Sequence, residues 1–211
     1  MNLESRIKAQ FTGLIVTLLS VLIGLAFSDL AGIARAQMTL WPLDIAMLRT
    51  WSQIVAMGAV SLAVWIIFAH LGVSRLRIPA FADTVVVFIL PLAIIVGNTL
   101  IGQKFIWPWF YYASFYLLIS LGAWHWQVRI ALAESELASF ARLTRPLGPL
   151  SVIYFGIPSY AAAGWADSHG LLSPVAETLI AMSAGPAACL TAWIFVREWQ
   201  RAISSAQASG A

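Results

Sequence analysis

Five polar side chains stand out because they lie within or at the ends of long apolar runs of this sequence. An acidic residue closes the first run, and later runs contain an arginine, two amides and a glutamate. These candidate site residues are Asp29, Arg49, Gln53, Asn98 and Glu177. Polar and charged groups in apolar segments are costly to place, so they are candidates for binding an ion or a small polar solute.

The composition of the chain indicates what surrounds those apolar runs. Of the 211 residues, 61% are hydrophobic and only 10% are charged, whereas a typical soluble domain has about 25% charged residues. Apolar stretches of about 20 residues recur along the chain, and this is the length that a helix needs to cross a bilayer. The sequence therefore predicts an all-α, polytopic membrane protein, with one transmembrane domain over residues 1–211 and the lipid bilayer as its main partner.

Six membrane spans fit the apolar pattern, and all six should be helical because lipid offers the backbone no other hydrogen-bond partner. The predicted spans are residues 11–34, 46–73, 80–101, 106–128, 147–166 and 173–196. Residues 129–146 alternate apolar with charged positions. We expect this segment to extend the fourth span as a cytoplasmic helix at or near the membrane surface.

The distribution of basic residues predicts the orientation of these spans. If the N-terminus is cytoplasmic, nine of the twelve Lys and Arg residues fall on the cytoplasmic side of the membrane. This asymmetry matches the positive-inside rule. The sequence therefore predicts six transmembrane helices with both termini in the cytoplasm, an arrangement abbreviated N-in/C-in.

In this topology the five candidate residues all fall in the outer half of the membrane. Helices joined by a short loop are usually neighbours, so we expect Asp29 to meet Arg49 in an ion pair that lowers the cost of both charges. Such a pair leaves Lys104 as the nearest cation for Glu177. The alternative is an outward-facing polar cavity in which the five residues bind a small cation, a proton or a small polar solute.

The chain lacks the sequence patterns that are typical of several kinds of site and function. The chain has a single cysteine, Cys189, and no metal-ligand spacing of His, Cys or carboxylates, so we expect neither a disulfide nor a metal site. No nucleophile-elbow, zinc-protease or phosphate-loop motif is present, and we expect no enzyme activity and no cofactor. The basic residues are scattered over the ends of the spans, which argues against a nucleic-acid partner.

Two stretches resemble known families. The segment "AFSDLAGIARA", with Phe27, Ser28 and Asp29, resembles the first helix of the bacterial and lysosomal potassium-channel family that carries a Phe-Ser-Asp signature. That family's signature opens the helix, whereas these residues close it. Residues 11–130, with "VTLLSVLIGLAFSDLAGIARA" and a Trp-rich second span, resemble a set of uncharacterised bacterial multi-pass inner-membrane proteins. This second resemblance implies a location in the bacterial inner (plasma) membrane.

Two classes of function remain open. One is a small channel or transporter for an ion or small solute, with its polar site in the outer half of the bundle. The other is a non-transporting membrane subunit or scaffold that holds a partner protein, using the 129–146 helix and small-residue helix faces such as "AMSAGPAAC". Small residues allow helices to approach closely in lipid, and this packing could serve a homo-oligomer or a complex with another membrane protein.

Overall fold

A computed structural model of the chain describes residues 3–38, 44–74, 81–133 and 150–209. The regular secondary structure of these residues is entirely α-helical, which confirms the predicted all-α class. The described helices are α1 (Leu3–Met38), α2 (Ile45–Ser74), α3 (Phe81–Asn98), α4 (Trp107–Ala133), α5 (Ser151–Ser168) and α6 (Pro174–Ser209).

Three of the described helices are long and apolar enough to cross a membrane. The apolar segments are Val16–Met38 in α1, Ile45–Ala69 in α2 and Pro174–Arg197 in α6. Helix α3 contributes a shorter apolar segment, Val85–Asn98. These segments are compatible with a membrane protein, because a helix of about 20 apolar residues matches the hydrocarbon thickness of a bilayer.

Local sequence signals explain where the helices begin and end. Asp44 precedes α2 and its Oδ1 accepts a hydrogen bond from the Met47 N–H at 2.7 Å. Ser173 precedes α6 in the same way, its Oγ accepting from the Ala176 N–H at 3.2 Å. Gly170 follows α5 with a φ of +68°, a left-handed conformation that glycine adopts without strain and that commonly stops a helix. The short turn that results brings the end of α5 beside the start of α6.

Helix α2 lies at the centre of the packing, against α1, α3 and α6. Its most extensive contact is with α6, where Gly185 lies against the backbone of Ala56. Helix α4 packs mainly on α5 and more lightly on α3. The main core contains fully buried side chains from several helices, including Leu19, Ile94, Phe110 and Ala181. Because helices α2 and α6 begin at the same end of the bundle, their first turns can share polar contacts.

The predicted cytoplasmic extension is described only in part. Helix α4 continues past residue 128 as far as Ala133, so the first residues of the 129–146 segment are helical as expected. Residues 134–146 lie outside the described part of the chain.

Candidate functional site

An ion pair between two partly buried side chains joins the starts of α2 and α6. Arg49 Nη1 donates to Glu177 Oε2 at 2.7 Å, and the two side chains are only 17% and 10% exposed. The other terminal nitrogen of Arg49 lies 3.5 Å from the Lys104 carbonyl oxygen. Hydrogen bonds between ionised partners at this distance are roughly twice as strong as neutral ones. The guanidinium therefore connects α2, α6 and the segment between α3 and α4.

The prediction that Asp29 and Arg49 form an ion pair is wrong. Asp29 is exposed, and among the side chains that the structure describes no ion pair reaches it. The physical reason is the face on which it lies. Ala26 and Leu30 are buried in the core, and Asp29 precedes Leu30 by one residue, a rotation of about 100° around the helix.

The expectation that Lys104 would be the cation nearest Glu177 is also wrong. Glu177 binds Arg49 instead, 128 residues earlier in the chain. The Lys104 ammonium lies over the ring of Phe105, 5.3 Å from its centroid, in a cation–π contact. Lys104 thus contributes its backbone carbonyl to the Arg49 side chain, while its charge remains at the exposed surface.

A second carboxyl, that of Asp167 near the end of α5, lies close to Glu177 and Arg49. It was not predicted from the sequence. Partial burial raises the pKa of the Asp167 carboxyl above its ordinary value, and the neighbouring Glu177 carboxyl raises it further. The Trp107 N–H and the Arg49 guanidinium oppose that rise in pKa. We name Arg49, Asp167 and Glu177 the outer cluster. It holds two carboxyl groups beside one guanidinium, so one carboxyl can share a proton with the other.

One sequence signal could have identified Asp167. It lies one residue beyond the predicted fifth span, so a search restricted to the spans excluded it. The chain between it and Glu177 is short and contains Gly170 and Pro174, which are residues typical of a tight turn between antiparallel helices. A hairpin of this kind places the last turn of one helix beside the first turn of the next.

Gln53 is 2% exposed and fastens α2 to the segment after α3. Its Oε1 accepts a hydrogen bond from the Gly102 N–H at 3.1 Å. Gly102 has a φ of +72°, and a Cβ there would also approach Thr50 Cγ2 to 3.4 Å. The amide therefore satisfies a backbone donor in a turn that favours glycine.

Asn98 is 1% exposed and fastens the end of α3 to α1. Its Nδ2 donates to the Ala26 carbonyl oxygen at 3.1 Å. Its Oδ1 is buried and has no hydrogen-bond partner among the described residues. Because an interhelical hydrogen bond avoids leaving a polar group in an apolar interior, this contact fixes the position of α3 against α1.

The structure thus separates the five predicted residues into three kinds. Arg49 and Glu177 bind each other, and Gln53 and Asn98 bind backbone groups of neighbouring segments. Asp29 remains exposed. Among the described residues, no three His, Cys, Asp or Glu side chains are grouped so as to hold a metal ion. Charged side chains that lie beside one another at this end of the described helices are those of the outer cluster.

The two family resemblances rest on sequence patterns around Asp29 and over residues 11–130. The contacts in the structure test neither of them, and both stay predictions. In the comparison with known proteins, no protein-family model, no curated protein and no solved structure matches the chain.

Proposed function

We propose that the chain is a multi-pass protein of the bacterial inner membrane, with six spans and both termini in the cytoplasm. The three long apolar helices support insertion in a membrane. The bias of nine Lys and Arg among twelve toward one side supports the orientation. In this arrangement the outer cluster faces the side of the membrane opposite the termini.

We propose that the protein moves a proton or a small cation and that the outer cluster is its binding site. The supporting observation is the presence of two neighbouring carboxyl groups beside a single guanidinium. When all three groups are ionised, the cluster carries one net negative charge. Uptake of a proton by one carboxyl, or of a small cation between the two, removes the repulsion between them.

The other polar residues have a supporting role in this proposal. Gln53 and Asn98 hold the ends of α2 and α3 through backbone contacts and thereby keep Arg49 in place for the two carboxyl groups. The proposal assigns the protein no catalytic step, cofactor or nucleic-acid partner.

A flux measurement on the purified protein in liposomes tests this function. We expect Asp167→Asn and Glu177→Gln each to reduce proton or cation flux at least tenfold, because each removes one carboxyl group from the cluster. Asp29→Asn is the matched control, since it makes the same chemical change at an exposed carboxylate. If folded variants at Asp167 and Glu177 keep the flux of the unmodified protein, the outer cluster is not the transport site.

A second candidate function, a membrane subunit that holds a partner protein, is favoured by the exposed position of Asp29. The surrounding face of α1 is also exposed at Gly24, Ser28 and Gly32, and a Cβ added at either glycine would meet no atom within 4 Å. An exposed carboxylate in an apolar helix is costly in lipid, and small residues permit a close helix contact. A partner helix seated there would cover both.

Purification in mild detergent from the native membrane separates the two functions. The subunit function predicts a complex of defined mass that contains a second protein, and Asp29→Asn should then lower the fraction of chain in the complex. A chain that migrates alone, with Asp29→Asn unchanged, contradicts the subunit function.

A further inference from the structure

A large apolar cleft lies below the outer cluster, between α2, α4, α5 and α6. Its volume is about 390 Å³, within the range of about 300–1,000 Å³ that is typical of small-molecule sites. The walls are mainly aliphatic and aromatic, with representative residues Ala56, Trp109, Phe155, Ile180, Ala184 and Ala187. None of the outer-cluster side chains lines the cleft, so it is a separate feature of the fold.

The cleft opens sideways between α5 and α6. These two helices touch only sparsely, and one hydrogen bond, between Tyr160 Oη and Ser183 Oγ at 3.2 Å, links them across the gap. Phe155, Ser159 and Ser183 line the cleft and are exposed. In a membrane, an opening of this kind faces the hydrocarbon of the bilayer and not bulk water.

The length of the cleft matches the thickness of one leaflet, and its lining on α6 is centred in the apolar segment Pro174–Arg197. Along α6 its lining extends from Ile180 to Thr191, which corresponds to about 16 Å at about 1.5 Å per residue. Half of the hydrocarbon core of a bilayer is about 15 Å. The upper end of the cleft begins three residues after Glu177, about 4.5 Å further into the membrane.

We propose that the cleft binds one acyl chain of a membrane phospholipid. A phospholipid is the molecule that a lateral opening in a membrane helix bundle meets at the highest concentration. An acyl chain is long, thin and apolar, as the cleft is, and it restores the van der Waals contacts that an unfilled apolar space forfeits. This inference rests on the membrane location proposed above and is independent of the transport function.

The test uses the full chain in nanodiscs of phosphatidylethanolamine and phosphatidylglycerol that contain a phospholipid with a photoactivatable diazirine at mid-chain. We expect labelling to saturate near one lipid per chain and to map to lining residues of α5 and α6. Ala187→Phe fills the cleft, and Ser159→Phe blocks its exposed mouth. Each should reduce this labelling at least tenfold.

The matched control is Ala162→Phe, an exposed position on α5 that does not line the cleft, and it should leave the labelling unchanged. If Ala187→Phe fails to fold, the exposed Ser159 position decides the result. Labelling spread over the exposed faces of all helices and insensitive to the variants would overturn the proposal, because it would report ordinary boundary lipid. Native mass spectrometry showing a tightly held molecule other than a phospholipid would overturn it as well.

Discussion

Glu177 and Asp29 both carry carboxylates in apolar helices, but they differ in exposure and in ion pairing. Glu177 lies at the start of α6 with its side chain 10% exposed and in contact with the Arg49 guanidinium. Asp29 lies on the exposed face of α1, and no ion pair reaches it among the described side chains. The paired carboxylate belongs to the interior of this chain. The Asp29 carboxylate lies at the exposed surface of the described helices.

The difference shows that the position of a charged side chain around an apolar helix decides its role more than its position along the helix does. Both residues were placed in the outer half by sequence. Among the described side chains, the inward-facing Glu177 has a counter-ion, and that pairing reduces the cost of burying either charge. Four changes test this comparison.

The largest effect is expected from Arg49→Met. This change leaves Glu177 and Asp167 without their shared cation, and loss of one partner of a buried ion pair costs about 3–5 kcal/mol. Because both side chains keep some exposure, we expect the free energy of unfolding to fall by about 3 kcal/mol, measured by denaturant unfolding in detergent. The double variant Arg49→Met with Glu177→Met should recover much of the loss. A loss in the double variant equal to the sum of the losses in Arg49→Met and Glu177→Met would show that the pair is not coupled.

A smaller loss is expected from Asn98→Ala, which compares a neutral buried polar group with the charged ones. The variant removes the hydrogen bond to the Ala26 carbonyl, a class of contact worth about 0.6–2 kcal/mol in membrane proteins. We expect a loss of about 1 kcal/mol in the same unfolding measurement. Thr99→Ala, at the exposed next residue, is the control. A larger effect at Thr99 than at Asn98 would contradict the role given to the interhelical bond.

The pH dependence of the free energy of unfolding tests whether Asp167 belongs to the outer cluster. Its pKa in the folded chain is raised, so the folded state binds more protons than the unfolded state over the interval between the two pKa values. Stability from this group is complete below the unfolded-state pKa and is lost as pH rises through the folded-state pKa. We expect the Tm to fall across that interval and this component to vanish in Asp167→Asn. An unchanged pH profile in the variant would remove Asp167 from the cluster.

The smallest effect is expected from Asp29→Asn in the isolated chain. The carboxylate is exposed, and substitutions at such positions usually change the free energy of unfolding by less than about 0.5 kcal/mol. The measurement is the unfolding of the purified chain in detergent, beside Arg49→Met. A loss comparable to that of Arg49→Met would mean that Asp29 is held by a contact within the chain.

The helices could be predicted because long apolar runs have one structural solution in lipid. Helix α2 begins and ends within one residue of the predicted span, and the strong apolar signal around it is the reason. Helix α6 begins at Pro174, one residue after the predicted start, but continues to Ser209, past the predicted end at residue 196. Its last turns are polar, and hydropathy locates the apolar part of a helix rather than its end.

The partner of Arg49 could not be predicted from the sequence. The hydropathy pattern indicates how far a residue lies along its helix, but it does not indicate which way the side chain faces or which helices are neighbours. The loop argument correctly placed α1 beside α2. It did not reveal that α6 packs on α2 as well, or that the Arg49 side chain lies on the α6 side. Asp167 was missed for a related reason, since its role depends on the turn that returns the chain to Glu177.

The distance along the sequence between Arg49 and Glu177 determines how long after the arginine the glutamate is synthesised. The two residues are 128 positions apart, and chains grow at about 5–20 residues per second. The arginine is therefore synthesised roughly 6–25 s before the glutamate that neutralises it. During that interval its charge must be solvated by water or by other polar groups. The contact between the starts of α2 and α6 can form only after α6 has been made.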